Sequence, residues 1–218
     1  MGGRAGTGHA TGAFTAGQGD VFNTAPRLAP LGDYGGPTFT MALRPGSPAR
    51  NAAPGSALLF DQRGFPRGGT PDIGAYEAGT LANFAAWSQE TTGATLGFDT
   101  DQELDGTVNG LEYALHRDPF VSDTPLAPTL SGAPAGPRTF TFRYRADARD
   151  LRYIVQRNAD LANAAGWTEI YRYDSRTGQI TELFSVTGDE NATTQIITLT
   201  DPATGPRLFW RLRLEQLP

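Results

Sequence analysis

The sequence predicts a mainly β protein in which a loop-rich segment leads through a short helix–loop–helix into a C-terminal antiparallel β-sandwich. Three observations carry that expectation. Beyond residue 138 apolar side chains alternate with arginines and acids at a period of two. An acidic stretch from Asp99 to Pro119 lies between two patterns of helical spacing. The chain holds 27 Gly and 16 Pro, which favours many turns and few long helices. At 218 residues, 39% hydrophobic and 10% aromatic, there is enough apolar material for one large or two small cores. The expected organisation is 1–79, 80–123, a linker at 124–137, and 138–218.

Residues 1–25 are rich in Gly, Ala and Thr and read as loop or thin, short strands. From Pro26 to residue 79, Pro45, Pro48, Pro54 and Pro66 withhold ladder hydrogen bonds, so turns and edge strands are expected rather than a sheet centre. Asp61, Arg63, Arg67 and Asp72 read in two ways. They form either an Arg–carboxylate network pinning loops or a catalytic carboxylate pair with an arginine.

Residues 80–98 are expected to form a helix capped by Thr80, with Leu81, Phe84, Ala85 and Trp87 as its apolar stripe. After it come Asp101, Glu103, Asp105, Thr107, Asn109 and Glu112, with Gly106 at the sixth of twelve places. That is the ligand spacing of an EF-hand calcium loop. A hard cation takes six to eight oxygens, which the loop supplies from places one, three, five, seven, nine and twelve. Thr107 would offer its carbonyl, and Glu112 would bind through both oxygens from the first turn of the next helix. The plainer alternative is a solvated acidic turn in which Asp105 or Thr107 caps that helix. Two further turns with Leu111, Tyr113, Ala114 and Leu115 end at Asp118-Pro119. His116 sits near that end, where the helix dipole favours a partly charged imidazole.

Charge distribution supports a cation as partner. Residues 1–79 hold six Arg and five acids, 80–137 one Arg and eight acids, and 138–218 eleven Arg and ten acids. The net −5 is therefore concentrated in the central segment, which argues against nucleic acid. With no Cys and no Lys, a disulfide frame, a thiolate site and a Schiff base are excluded. Two histidines, His9 and His116, give no basis for a Ser-His-Asp triad or a histidine-ligated metal. No apolar run reaches the roughly 18 residues of a membrane span, and the N-terminus has no apolar run to serve as a signal peptide.

The linker 124–137 is Pro, Ala and Gly rich. After it Phe140, Phe142 and Tyr144 alternate with Thr141, Arg143 and Arg145. Leu151, Tyr153 and Val155 follow the same period, as do Leu208, Trp210, Leu212 and Leu214. Further strands are expected at 167–174, 180–186 and 194–200, giving six or seven in a small sandwich. Trp167, Tyr171 and Tyr173 are either core or a sugar-stacking platform.

Several stretches also resemble a known group of proteins. Leu28, Leu31, Gly35-Gly36-Pro37-Thr38, Leu43-x-Pro45-Gly46-Ser47-Pro48-Ala49, Asp61-Gln62-Arg63-Gly64, Arg67 and Asp72-Ile73-Gly74-Ala75-x-Glu77 resemble the closing segment of secreted bacterial parallel β-helix proteins of the choice-of-anchor Q type. Tyr34 and Arg50 depart from that pattern. Asn109, Glu112-Tyr113-Ala114-Leu115 and Asp118-Pro119 resemble the EF-hand or dockerin-like calcium segment of the same proteins. There Gln102 and Glu103 stand for a Gly and an Asp, and His116 also departs. Phe140, Phe142, Arg143, Tyr153, Val155, Asp160, Leu161, Trp167, Phe209, Arg211 and Leu212 resemble their C-terminal β-module.

The resemblance implies a β-helix cap, a calcium-stabilised joint and a β-module, secreted or at the cell surface. Its expected role is non-catalytic presentation, adhesion or anchoring, with a polysaccharide or cell-surface component as partner. A carbohydrate-binding module, or a fragment of a polysaccharide lyase or glycoside hydrolase, stays open. Met1 reads as a boundary within a longer chain, and an exposed β-helix end would favour self-association.

Overall fold

The computed structural model describes residues 23–122, 128–133, 136–184, 187–191, 195–205 and 207–218. Period-two segments fold as expected into strands of two four-stranded antiparallel sheets. One sheet is ordered β1-β2-β7-β6, from Thr129–Ser131, Arg138–Arg143, Ile196–Asp201 and Thr187–Asn191. The other is β5-β4-β3-β8, from Gln179–Glu182, Thr168–Asp174, Leu151–Asn158 and Phe209–Gln216. Phe140, Phe142, Ile197 and Leu199 of the first share one buried cluster with Leu151, Tyr153, Val155 and Tyr171 of the second. The arrangement is sandwich-like, and each such side chain contributes about 1.5–3 kcal/mol on burial. At Val155/Gln156 the register with β4 shifts, leaving Ile170 as the extra residue. That bulge buries two consecutive residues, Ile170 and Tyr171.

Two strands escape the sequence pattern. Thr129–Ser131, inside the expected linker, pairs with β2, so this part of 124–137 belongs to the sheet. Thr187–Asn191 pairs with β7. Residues 1–22 with His9, position 123 at the end of the expected helix–loop–helix segment, linker positions 124–127 and 134–135, and the ends of two expected strands at 185–186 and 194 lie outside the described residues.

The first helix, α1, spans Phe84–Thr92 rather than 80–98. Its cap is Asn83, not Thr80: the Asn83 side chain accepts the Ala86 N–H at 2.9 Å. Gly93, at φ 74, ends it by donating to the Gln89 carbonyl. Ala86 rather than Ala85 faces inward. Phe84 and Trp87 join the sandwich core, whereas Gln89 and Glu90 turn toward the N-terminal segment. There Gln89 accepts from Arg44 Nε at 2.9 Å, and Glu90 accepts from Arg50 at 3.2 Å, from Gly79 N–H at 2.8 Å and from the Tyr76 hydroxyl. One helix thus buries an apolar face on one side and a paired polar face on the other.

Among residues 23–79 the only β pairings described are isolated bridges, Leu28↔Leu43, Gly32↔Thr40 and Phe60↔Pro66. The segment is loop-rich, as its prolines demand. At its centre is Arg63, whose Nε lies 2.9 Å from Asp61. Its guanidinium stacks 3.6 Å from the Tyr76 ring centre and donates to the carbonyls of Tyr34 and Glu77 at 3.1 and 2.6 Å. Gly36 passes so close to Arg63 that a Cβ there would lie 2.7 Å from the Arg63 Cβ.

Candidate metal centre

The acidic loop is closed at its base by the backbone. Asn109 N–H donates to Thr100 O at 2.7 Å and Gly110 N–H to Phe98 O at 2.8 Å. The Phe98 ring lies against Gly110, where a Cβ would stand 2.4 Å from it, and Phe98 packs on Phe84. From that base the chain turns through Gly106, at φ 92. Asp101 holds the turn by accepting from Gly106 N–H at 2.8 Å and Asp105 N–H at 3.3 Å. Asp105 accepts from Thr107 N–H at 2.8 Å. Helix α2, Asn109–Ala114, then carries Glu112 inward.

One oxygen from each of Asp101, Glu103 and Asp105 lies within 4.8 Å of the others. Six buried oxygens of this loop accept no hydrogen bond: both of Glu103, Oδ2 of Asp105, Oδ1 of Asn109 and both of Glu112. Glu112 is wholly buried, and its carboxyl stands within hydrogen-bond reach of the Glu103 carboxyl. Asn109 Nδ2 is fixed by Gly97 O at 2.9 Å and Thr100 Oγ1 at 2.7 Å, so the amide orientation is set from outside the loop. Burial pushes the Glu112 carboxyl up to about 8, the Glu103 and Asp105 carboxylates add to the rise, and Arg117 opposes it. Buried acceptors without donors are costly, and the convergence of one oxygen each from Asp101, Glu103 and Asp105 is an arrangement a hard cation would neutralise. Fit is good on donor chemistry: carboxylate and amide oxygens with no thiolate or imidazole suit calcium or magnesium rather than a soft metal.

The sequence-predicted residues divide as follows. Asp101, Glu103 and Asp105 converge, while Glu112 stands outside that group of three with its carboxyl next to that of Glu103. Thr107 is buried, and its hydroxyl accepts from Arg117 Nη1 at 3.4 Å. Arg117 was not anticipated as part of the centre. Its buried guanidinium stands 3.9 Å from Asp105, and the available signal was its being the only Arg or Lys between 80 and 137. The missing glycine also sits elsewhere than expected. The second left-handed residue of the loop is Leu104, at φ 61 and 85% exposed, so position 104 and not 102 is where a glycine would relieve the backbone.

Past α2 the chain turns through His116, at φ 59. Arg117 N–H reaches Glu112 O at 2.8 Å and His116 N–H reaches Tyr113 O at 3.4 Å, a Schellman ending whose left-handed place is usually glycine. The imidazole is not favoured in its charged form as the dipole suggests. Burial first, and then the nearby Arg145 guanidinium, hold its pKa below the ordinary value.

Of the two readings of Trp167, Tyr171 and Tyr173, core or sugar-stacking platform, the structure gives core for the two tyrosines. Tyr171 is wholly buried, with its hydroxyl donating to Glu190. Tyr173 packs edge-on against Tyr144 at 5.3 Å, and half-buried Trp167 lies beneath Arg211 at 4.2 Å. Period two places Tyr171 and Tyr173 on one face of β4, and that face is the core. Nor do Asp61, Asp72 and an arginine meet in an open cleft. Both carboxylates are buried and accept loop N–H groups, Asp61 from Arg63, Phe65 and Glu77, and Asp72 from Asn51 and Ala78.

The chain matches no family model and no curated protein. Function must therefore be read from the side chains. Among the described residues no helix is long and apolar enough to cross a membrane.

Proposed function

We propose that this chain is a non-catalytic, calcium-stabilised region of a secreted or cell-surface β-helix protein, serving in presentation, adhesion or anchoring. The observation that supports it is the wholly buried Glu112, whose two oxygens face Glu103 and accept from no donor. Asp101, Glu103, Asp105, Asn109 and Glu112 would hold the ion through side chains, and Thr107 through its carbonyl. The ion supplies charge neutralisation and oxygen coordination, with no reaction attached to it. The chain's own part is to fix these oxygens. Asp101 holds the turn, Asn109 is oriented by Gly97 and Thr100, and α2 carries Glu112 to the loop.

What the ion would stabilise is a joint. Tyr113, next to Glu112, donates its hydroxyl to Asp150 at 2.9 Å, and Asp150 also accepts the Phe84 N–H at 2.8 Å at the start of α1. Arg145 Nε donates to Tyr113 O at 2.6 Å. The loop is thereby tied to both the sandwich and the helix that carries the N-terminal segment. A weak site filled where free calcium is near millimolar suits an extracellular setting.

Isothermal titration with calcium, paired with unfolding in chelator and in millimolar calcium, tests the proposal. One bound ion per chain and an upward shift of the midpoint are expected, both lost in Glu112→Gln. Absence of heat and of any shift would return the loop to an acidic helix cap.

A further inference from the structure

We propose that Arg117 sets the affinity of the acidic loop for its cation: the buried guanidinium stands in for part of the ion's charge when no metal is bound, and opposes the ion when it binds. This inference rests on the calcium reading above and names the residue that keeps the site weak.

A charged side chain is rarely buried without a counter-charge, and the Arg117 side chain is 1% exposed. The loop supplies that charge. Nη2 of Arg117 stands 3.9 Å from Asp105 Oδ2, and Nη1 donates to the Thr107 hydroxyl at 3.4 Å. Its field also reaches Glu112, where it opposes the rise in pKa that burial and the Glu103 carboxylate impose. Asp105 and Thr107 occupy the fifth and seventh of the twelve places, so the guanidinium lies beside two residues that would hold the ion. The backbone fixes this approach. His116 is left-handed at φ 59, and Arg117 N–H returns to Glu112 O at 2.8 Å, which carries the side chain back toward the loop.

The four carboxylates of Asp101, Glu103, Asp105 and Glu112 bring a formal charge of −4 when ionised, which Arg117 reduces to −3. Calcium affinity follows the charge count of the ligands, so a buried like charge beside Asp105 lowers it. Without metal the same charge is favourable, because it offsets part of the repulsion among the carboxylates. The offset is incomplete. Neither oxygen of Glu103 or of Glu112 accepts a hydrogen bond, and Asp105 Oδ2 meets Arg117 as an ion pair without one. So loose a contact leaves the Asp105 oxygen open to coordination. A residue that merely braced the loop would, on removal, weaken folding and calcium binding together. A competing charge gives opposite signs: lower stability without metal, and tighter binding.

Calcium titration by calorimetry, with melts in chelator, on the wild type, Arg117→Met and Arg117→Lys is the test. Arg117→Met keeps an apolar stem and removes the charge. Its Kd should fall about tenfold, while its midpoint in chelator falls as well. Arg117→Lys keeps the charge and should bind as weakly as the wild type. Should Arg117→Met unfold in chelator, it and the wild type are titrated in concentrated sucrose, which favours the folded state. Calcium binding by Arg117→Met no tighter than that of the wild type, a chelator midpoint that does not fall, or equal tightening in Arg117→Lys would each overturn the proposal. The calcium reading would still stand in those cases, because the wild type binds. Absence of calcium binding in all three proteins would overturn that reading and this inference with it.

Discussion

Glu112→Gln should act with opposite signs in the absence and presence of calcium. In chelator the buried Glu112 and Glu103 carboxyls face each other without a donor, and Arg117 stands 3.9 Å from Asp105. Gln is isosteric and neutral, and its amide NH₂ can donate to Glu103. The substitution therefore removes the cost of holding the buried Glu112 carboxyl protonated at neutral pH and keeps a donor toward Glu103, which is worth about 1–3 kcal/mol. In a chain of this length each kcal/mol moves the midpoint by about 2–4 °C, so a rise of roughly 4–8 °C in chelator is expected for the middle of that range. With calcium at a hundred times its dissociation constant the wild type gains about 2.7 kcal/mol, while the variant gains nothing. Calorimetric melts of both proteins in chelator and in millimolar calcium read all four midpoints. A variant less stable than wild type in chelator would refute the reasoning, because Arg117 would then be neutralising the carboxylates adequately without any metal.

Three other perturbations have defined signs. Leu104→Gly should raise the midpoint, because Leu104 is held at φ 61 with its side chain 85% exposed; relief of about 1–2 kcal/mol less the entropy cost of glycine, about 0.5–1 kcal/mol, leaves a small net gain measurable by chemical denaturation. Arg63→Met should cost about 3–5 kcal/mol in the same assay, because it strands the Tyr34 and Glu77 carbonyls and removes the cation beside buried Asp61. His116→Asn should flatten the pH dependence of stability as pH falls below 6.5: the His116 pKa is lowered from 6.5, so its contribution is present above 6.5 and lost as pH falls toward the folded value. Asn tolerates the left-handed backbone at this place, and midpoints measured across that pH range for both proteins compare the slopes.

Legibility in the sequence followed the distance over which each cause acts. Phe140, Phe142, Tyr153, Val155, Leu212 and Leu214 were readable as strands because alternation is local. Thr129–Ser131 is too short to show a period, and Thr187–Asn191 contains no large apolar residue. The extent of α1 was overread because its start depends on the Asn83 side chain and its buried polar face on Tyr76, Arg50 and Arg44, which arrive from earlier in the chain. Alternation could group Tyr171 with Tyr173 but could not say which side of β4 the second sheet covers. The spacing that brings Asp101, Glu103 and Asp105 together is local and so was legible. Arg117 was not, since it enters the loop only through the turn at His116.

That turn explains why the loop and the joint belong together. Helix α2 has six residues, too few to be stable through its own hydrogen bonds, so its order must come from what holds its side chains. Successive residues of a helix point in different directions, and here Glu112 turns to the loop while Tyr113 turns to Asp150 and the rings of Phe84 and Trp87. Tyr113 contributes aromatic packing that needs no ion. Glu112 by contrast opposes folding until its charge is matched, since burial and the Glu103 carboxylate both raise its pKa. The same short helix therefore joins one favourable and one unfavourable burial, and under the proposed reading a cation in the loop would set the balance between them. A divalent ion there would convert the unfavourable half into a second anchor, stabilising the contact between α1 and the sandwich without touching either directly.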